Sequence, residues 1–267
     1  MARLFRRRTE LEVGFRKISS DDLDIQFTVE GSTEERSAAT ADIAVYNLAG
    51  LTRQFFAQGA EVALRSGYEE DLGPVFLGKV ERVEEEREGP DTAVRIFCTA
   101  SEKELIVARV NASYPKGARV VDAARDQFRL AGVPVGRVGD SPAALERALV
   151  FTAETTVSDN LGELASMAGF QCFARLGVGY FVSPSAQIAE AHLLGPGTGL
   201  LTVEHIEDKE NAGVKKLRVT SLLLWQVQKG SYIQLDSLAA KGLCRVLSYQ
   251  HRSNESDHLT VMEAAPA

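Results

Sequence analysis

Asp22-Leu-Asp-Ile-Gln-Phe-Thr-Val29 alternates polar and apolar side chains, and this two-residue period decides the class of the fold. Successive side chains of an extended chain point to opposite faces, so Leu23, Ile25, Phe27 and Val29 make one apolar face. Thr92–Thr99 repeats the pattern with Val94, Ile96 and Cys98. Ala41–Leu48, Glu61–Gly67 and Val75–Arg87 are further strand-like segments, and Gly73-Pro74 and Gly89-Pro90 mark turns between them. A short helical turn is expected over Leu51–Ala57. Five or six strands with local connections predict an antiparallel barrel or sandwich over residues 1–100.

Outward from this region the period changes. Ala118–Ala131 places Val121, Ala124, Phe128 and Ala131 at helical spacing, and Gly132 followed by Pro134 ends the helix. A second helix, capped by Ser158 or Asp159, buries Leu161, Leu164, Ala165 and Ala168 and stops at Gly169. Phe170–Arg175, a Leu-Gly-Val-Gly turn and Tyr180–Val182 form a hairpin signal. Residues 101–199 therefore read as a small α+β domain, closed by a flexible bridge, Gly195-Pro-Gly-Thr-Gly199. Strands return over 200–267, where Leu217 and Val219 alternate with Lys216 and Arg218, followed by Tyr232–Leu235, Leu243–Gln250 and His258–Glu263. This last domain reads as a second β domain that strands from elsewhere in the chain could complete. No short repeat is present, but the two flanking β regions end in a similar strand-turn-strand cadence.

The chain of 267 residues has the length of roughly two domains. With 45% hydrophobic and 25% charged residues it is neither disordered, collagen-like nor a coiled coil. The net charge of −7 disfavours a general nucleic-acid binder, since phosphate binding relies on Lys and Arg. Cys98, Cys172 and Cys244 lie far apart within apolar stretches and read as buried thiols of a reducing compartment. Met1–Arg8 is basic but has no apolar run behind it, and Leu222-Leu-Leu-Trp225 is far too short to span a bilayer. The expectation is neither a cleaved export signal nor a membrane segment.

Residues that would carry chemistry are scarce. The histidines, His192, His205, His251 and His258, form neither H-x-H nor H-E-x-x-H; His251 and His258 flank a polar loop and read as part of a solvated hairpin rather than a metal site. Gly195–Gly199 lacks the Gly-Lys-Ser/Thr ending of a phosphate loop. No serine stands in a G-x-S-x-G elbow. Glu69, Glu70 and Asp71, and Glu84, Glu85 and Glu86, are adjacent acids; in a strand they point to alternate faces and read as a charged solvent face or edge protection. No catalytic, metal or cofactor residue is assigned, and the expectation is a protein that assembles rather than catalyses. The one basic feature, Arg3, Arg6, Arg7 and Arg8, reads as a solvated terminus or an arm that contacts a partner.

Two stretches carry a resemblance. The first is Ala41-Asp-Ile-Ala-Val-Tyr-Asn-Leu48, then Phe55-Phe-Ala-Gln-Gly-Ala-Glu-Val-Ala-Leu-Arg-Ser-Gly-Tyr68 and Gly73-Pro-Val-Phe-Leu-Gly-Lys-Val80. The second is Gly230-Ser-Tyr-Ile-Gln-Leu-Asp236, Cys244-Arg-Val-Leu-Ser-Tyr-Gln-His251 and Leu259-Thr-Val-Met-Glu-Ala264. Their order resembles the baseplate hub proteins of tailed phages, the late control protein D group, and the hub portion of type VI secretion spikes. The likeness rests on strand and turn residues and covers about two thirds of the chain. It implies a mainly β (α+β) fold of two antiparallel tube-like β-barrels with the helix-plus-hairpin unit inserted between them. It further implies a homotrimer in the virion baseplate, made in the host cytoplasm, whose six barrels join a sixfold tail tube to a threefold spike. Its partners would be tail tube, central spike, baseplate wedge and tape-measure proteins, with DNA only as cargo in the lumen. A phage-derived injection particle or gene-transfer agent is a second setting for the same hub. The competing readings are a tail-tip cell-wall hydrolase, which no residue constellation supports, and a carbohydrate-binding β module. The latter would need exposed aromatics, whereas the single tryptophan, Trp225, sits in an apolar run.

Overall fold

The fold comes from a computed structural model that describes residues 6–32, 38–48, 56–186, 190–207 and 215–267. The chain divides into two compact units, one built from the β regions on either side and one from Ser101–Ala186.

The first unit holds β1 (Arg7–Val13), β2 (Arg16–Ser19), β3 (Ile25–Ser32), β4 (Thr40–Tyr46), β5 (Glu61–Tyr68), β6 (Asp71–Glu88) and β7 (Asp91–Ala100). To these it adds β13 (His192–Leu194), β14 (Leu200–Glu207), β15 (Lys215–Leu222), β16 (Tyr232–Asp236), β17 (Lys241–Ser253) and β18 (His258–Pro266). The mainly β class is as expected. The two separate barrels are not: all 13 strands lie in one sheet, ordered β14-β15-β18-β17-β3-β4-β7-β6-β5-β1-β2, with β16 also on β17 and β13 on β16. No ring of strands closes among the described residues. The two flanking regions are stitched together by β17 against β3, from Ser248↔Ser32 to Ser253↔Phe27. Local alternation fixes which face each strand buries, but not which distant strand it pairs with.

The alternation read from the sequence is realised as a face. Phe27, Val29, Ile43, Val45, Val94 and Ile96 are buried, as are Val219, Val246 and Met262 from the other side of the join. Each fully buried Ile or Val stabilises the sheet by about 2 kcal/mol. The opposite face carries Gln26, Thr28, Asp42, Arg95, Arg218, Gln250, Arg252 and Glu263, interspersed with apolar side chains such as Phe97 and Val261. Residues 51–55 of the expected helical turn lie outside the described residues. Gly195–Gly199 is a tight turn rather than a flexible bridge: Thr198 N–H donates to Gly195 O, and Gly195 N–H donates to Thr198 Oγ1 at 2.7 Å.

The second unit holds α1 (Lys103–Val107), β8 (Ala112–Tyr114), α2 (Val120–Leu130), β9 (Val135–Val138), β10 (Leu149–Phe151), α3 (Val157–Ala168), β11 (Gln171–Arg175) and β12 (Val178–Val182). Helices α2 and α3 bury Val121, Ala124, Phe128, Leu161 and Leu164 as predicted. The cap of α3 is Thr156, not Ser158 or Asp159. The hydroxyl of Thr156 accepts from Asp159 N–H at 3.2 Å, and Thr156 N–H donates to the Asp159 carboxylate at 3.2 Å, so Asp159 is the third residue of a capping box. Gly169 ends the helix in the left-handed conformation (φ 65°). Between the helices, Asn160 donates to Gln127, which donates to the Tyr114 hydroxyl, so these buried amides are satisfied. Thr156→Ala is expected to lower the stability of this unit by about 1 kcal/mol, read as an earlier thermal transition by far-UV circular dichroism.

Candidate functional site

The residues most suggestive of chemistry are placed as structure. His251 and His258 lie on the neighbouring strands β17 and β18, 0% and 1% exposed, and not in a solvated loop. His251 Nε2–H donates to Val227 O at 2.8 Å, which leaves Nδ1 to accept from the Thr260 hydroxyl at 2.9 Å. His258 Nε2–H donates to Gly67 O at 2.9 Å, and Nδ1 accepts from Ser253 at 3.0 Å. All four ring nitrogens are thus committed to protein. Burial holds both imidazoles neutral, with pKa values pushed down to about 4; their hydrogen bonds to carbonyls oppose the shift only in part. Among the described residues no group of His, Cys, Asp and Glu could hold a metal ion. Burial likewise pushes the Cys98 thiol up to about 12, which keeps it protonated and unreactive.

The carboxylates are also engaged. Asp71 accepts from Trp225 Nε1–H at 2.7 Å and from the Gln226 amide at 3.3 Å. The half-buried Trp225 ring lies over Gly73, in the space a side chain there would occupy. Gln228 donates to Val75 O at 3.2 Å and accepts from the Tyr249 hydroxyl at 3.0 Å. The segment 223–231 is thereby clasped onto the β5–β6 hairpin. Glu69 pairs with Arg6 at 3.5 Å, Glu84 with Arg82 at 3.2 Å and Glu86 with Arg95 at 3.5 Å.

Of the basic arm, Arg3 lies outside the described residues. Arg7 and Arg8 belong to β1. Arg7 donates to Ser256 O at 3.1 Å, and Arg8 pairs with the buried Glu10 at 3.1 Å. Lys17 also reaches Glu10, at 2.9 Å, and this contact chiefly holds the Glu10 carboxyl below its usual range.

What remains is surface. The polar face carries Arg95 held by Asp42 at 2.6 Å, Arg252 held by Asp257 at 2.6 Å and Arg218 held by Glu263 at 3.3 Å. Gln26, Thr28, Asp42, Tyr46, Arg95 and Arg252 wall an open groove on it. Its guanidinium groups are thus neutralised by neighbouring acids.

Two strand edges of this face have no neighbouring strand among the described residues. Among the described residues β14 pairs with β15 alone. Strand β6 pairs with β5 only through Lys79, so its far half, Glu81–Glu88, is bonded to β7 on one side and to no strand of the described residues on the other. Of the acids read as a solvent face or edge protection, Glu84, Glu85 and Glu86 lie along this stretch, whereas Glu69 and Glu70 lie in the β5–β6 turn and Asp71 opens β6 and accepts from Trp225.

The two halves of the sheet repeat one connectivity. β3-β4-β7-β6-β5 runs in the same spatial and sequential order as β14-β15-β18-β17-β16. In each half the long strand is bulged at the matching place, between Val80 and Arg82 in β6 and between Val246 and Ser248 in β17; β6 has a further bulge at Val75. In each, the residue before the bulge donates its N–H to the residue ahead of the preceding strand, Val80 to Ala60 O and Val246 to Ser231 O, both at 2.9 Å. The duplication was hinted at only by the cadence of the flanking regions, because the two halves share a pattern of alternation rather than residues.

A mainly β chain of this connectivity, with a helix-and-hairpin unit inserted, has the fold of phage-tail and type VI secretion proteins. The 43 kDa tail protein of prophage MuSo2 from Shewanella oneidensis superposes with a TM-score of 0.71 at 10% identity, over 97% of this chain and 98% of that one. The tail protein from Neisseria meningitidis MC58 gives 0.70 at 12% identity, over 98% and 97%. The E. coli c3393 protein, a type VI secretion component with structural similarity to the T4 bacteriophage tail proteins gp27 and gp5, gives 0.59 at 10% identity, over 96% of this chain and 76% of that one. No protein-family model matches the chain, and no curated protein matches it in sequence. The likeness is one of fold, and at that level the resemblance read from the strand and turn residues holds.

Proposed function

We propose that this chain is a structural, non-enzymatic subunit of a phage-tail-type assembly: a baseplate or tail-tip hub that trimerises and joins a sixfold tail tube to a threefold central spike. The observation that carries this reading is the duplicated connectivity within one sheet. Three chains then present six copies of one unit, which lets a threefold ring match a sixfold tube. Both halves contribute to a single polar face, suited to line a conduit. The ion-paired guanidinium groups and the net charge of −7 support passage of DNA without retention, since free cations are what grip phosphates. Its partners in this reading are tail tube, spike, wedge and tape-measure proteins, with Arg3, Arg6, Arg7 and Arg8 as contacts, and its place is the virion tail. A phage-derived injection particle or gene-transfer agent would use the same architecture.

Multi-angle light scattering tests the proposal. The expected mass is three times that of the chain, alone or with the spike protein. A monomer at micromolar concentration with the spike protein present overturns it.

A further inference from the structure

The two compact units gather their chains differently. The elements of the α+β unit lie in one stretch, Ser101–Ala186, while the β unit is drawn from both sides of it. Each unit has its own core. Phe128, Leu161 and Leu164 pack within the first, whereas a single cluster holds Val29, Leu64 and Phe76 together with Val219, Val227 and Met262 in the second.

Neither flank of the β unit is complete without the other. The Tyr249 ring lies over Gly31 in the space a side chain there would fill, and Trp225 lies over Gly73 in the same way. The outer neighbour of β3 is β17. Gln228 donates to Val75 O at 3.2 Å, His258 to Gly67 O at 2.9 Å and Arg7 to Ser256 O at 3.1 Å. Deprived of residues 215–267, strands β3–β7 would show water the apolar face that these groups cover, and β3 an edge open to wrong pairing.

We infer that β1–β7 and β13–β18 fold only together, after the α+β unit, so that no folded β surface is presented to a partner until residues 215–267 are in place. The order of the chain thereby acts as a check on premature association. The inference stands apart from the trimeric-hub reading.

The order follows from loop closure. In the α+β unit the buried bond from Asn160 to Gln127 spans 33 residues. The β unit must close 191 residues between Gly67 and His258, and 249 between Arg7 and Ser256. Closing a longer loop costs more entropy before its contacts return any energy, so the local unit forms first. Once folded, its residues no longer count among the flexible ones in those loops, and the cost of joining the flanks falls.

Pulse-labelling hydrogen exchange on the refolding full-length chain reads this order, at two protein concentrations to separate folding from association. Peptides of α2 and α3 are expected to gain protection about tenfold faster than those of the β unit. Peptides of β3–β7 and β15–β18 should then gain it with one shared rate constant. In native-state exchange, Gly31→Val, which meets the Tyr249 ring, should speed exchange in β3–β7 and β15–β18 by the same factor, about tenfold or more, and leave α2 and α3 unchanged. Tyr249→Leu serves if that variant does not fold. Protection of β3–β7 ahead of β15–β18, protection of α2 and α3 no earlier than the β unit, or faster exchange confined to one flank overturns the inference. The expected pattern in a chain that stays monomeric with the spike protein supports it and overturns the hub reading alone.

Discussion

Acidification from about pH 7.5 to about pH 4.5 is expected to remove most of the stability of the β unit, because two neutral imidazoles are buried in it. His251 and His258 have folded pKa values of about 4 against 6.5 for an ordinary histidine. Between these limits the unfolded chain binds protons that the folded chain does not. Stability is therefore full above pH 6.5 and is lost as pH falls toward 4, by up to about 3 kcal/mol per imidazole. The groups facing the rings do not reverse this: Arg7 opposes a charge on His258, the edge-on Tyr68 ring is neutral, and His251 meets the Tyr249 ring and the other imidazole. Urea midpoints measured across this range should fall steeply for wild type. His258→Gln, which keeps a donor for Gly67 O, should start lower at neutral pH and fall less steeply. Equal slopes in the two proteins would show that the histidines do not set the acid limit. Below pH 4.5, loss of the Glu10 carboxylate from among Lys17, Arg8 and Arg65 adds a further decrease, since its folded pKa lies below its ordinary value.

Gly73→Val is expected to cost about 3 kcal/mol or more. Its side chain would overlap the Trp225 ring, and that ring cannot swing aside freely because Asp71 holds its Nε1 at 2.7 Å. The φ of Gly73 is not left-handed, so the cost is steric overlap rather than backbone strain. Trp225→Ala alone should also destabilise, by about 2 kcal/mol, through lost packing and the loss of one of the two side-chain donors to Asp71. The decisive result is the double variant. Removing the ring relieves the overlap, so Gly73→Val/Trp225→Ala should be clearly more stable than the sum of the single effects predicts. Urea denaturation measures all three by circular dichroism, and the only tryptophan reports the clasp by fluorescence where it is retained. Additive losses would mean that the ring and the glycine do not share the space.

The alternation in Asp22–Val29 and Thr92–Thr99 was enough to place strands and choose their buried face, since the period of two is a local property of extended chain. Helices α2 and α3 were equally readable from spacing and from Gly132 and Gly169. The α3 cap was misplaced because Ser158 and Asp159 are good caps on composition, and only the backbone shows that Asp159 folds back on Thr156. The histidines were legible as a pair but misread as a solvated hairpin. Their burial depends on Val227 and Gly67, 24 and 191 residues away respectively, which no local pattern reports.

Local chemistry therefore settled the class of the chain and its strands and helices. Pairing over long distance settled the rest: among the described residues, one continuous sheet in place of two barrels and a duplicated connectivity. The reason is that hydrogen bonds between strands are made by backbone groups common to every residue, so side-chain patterns select the face while the partner is chosen by packing of the whole unit.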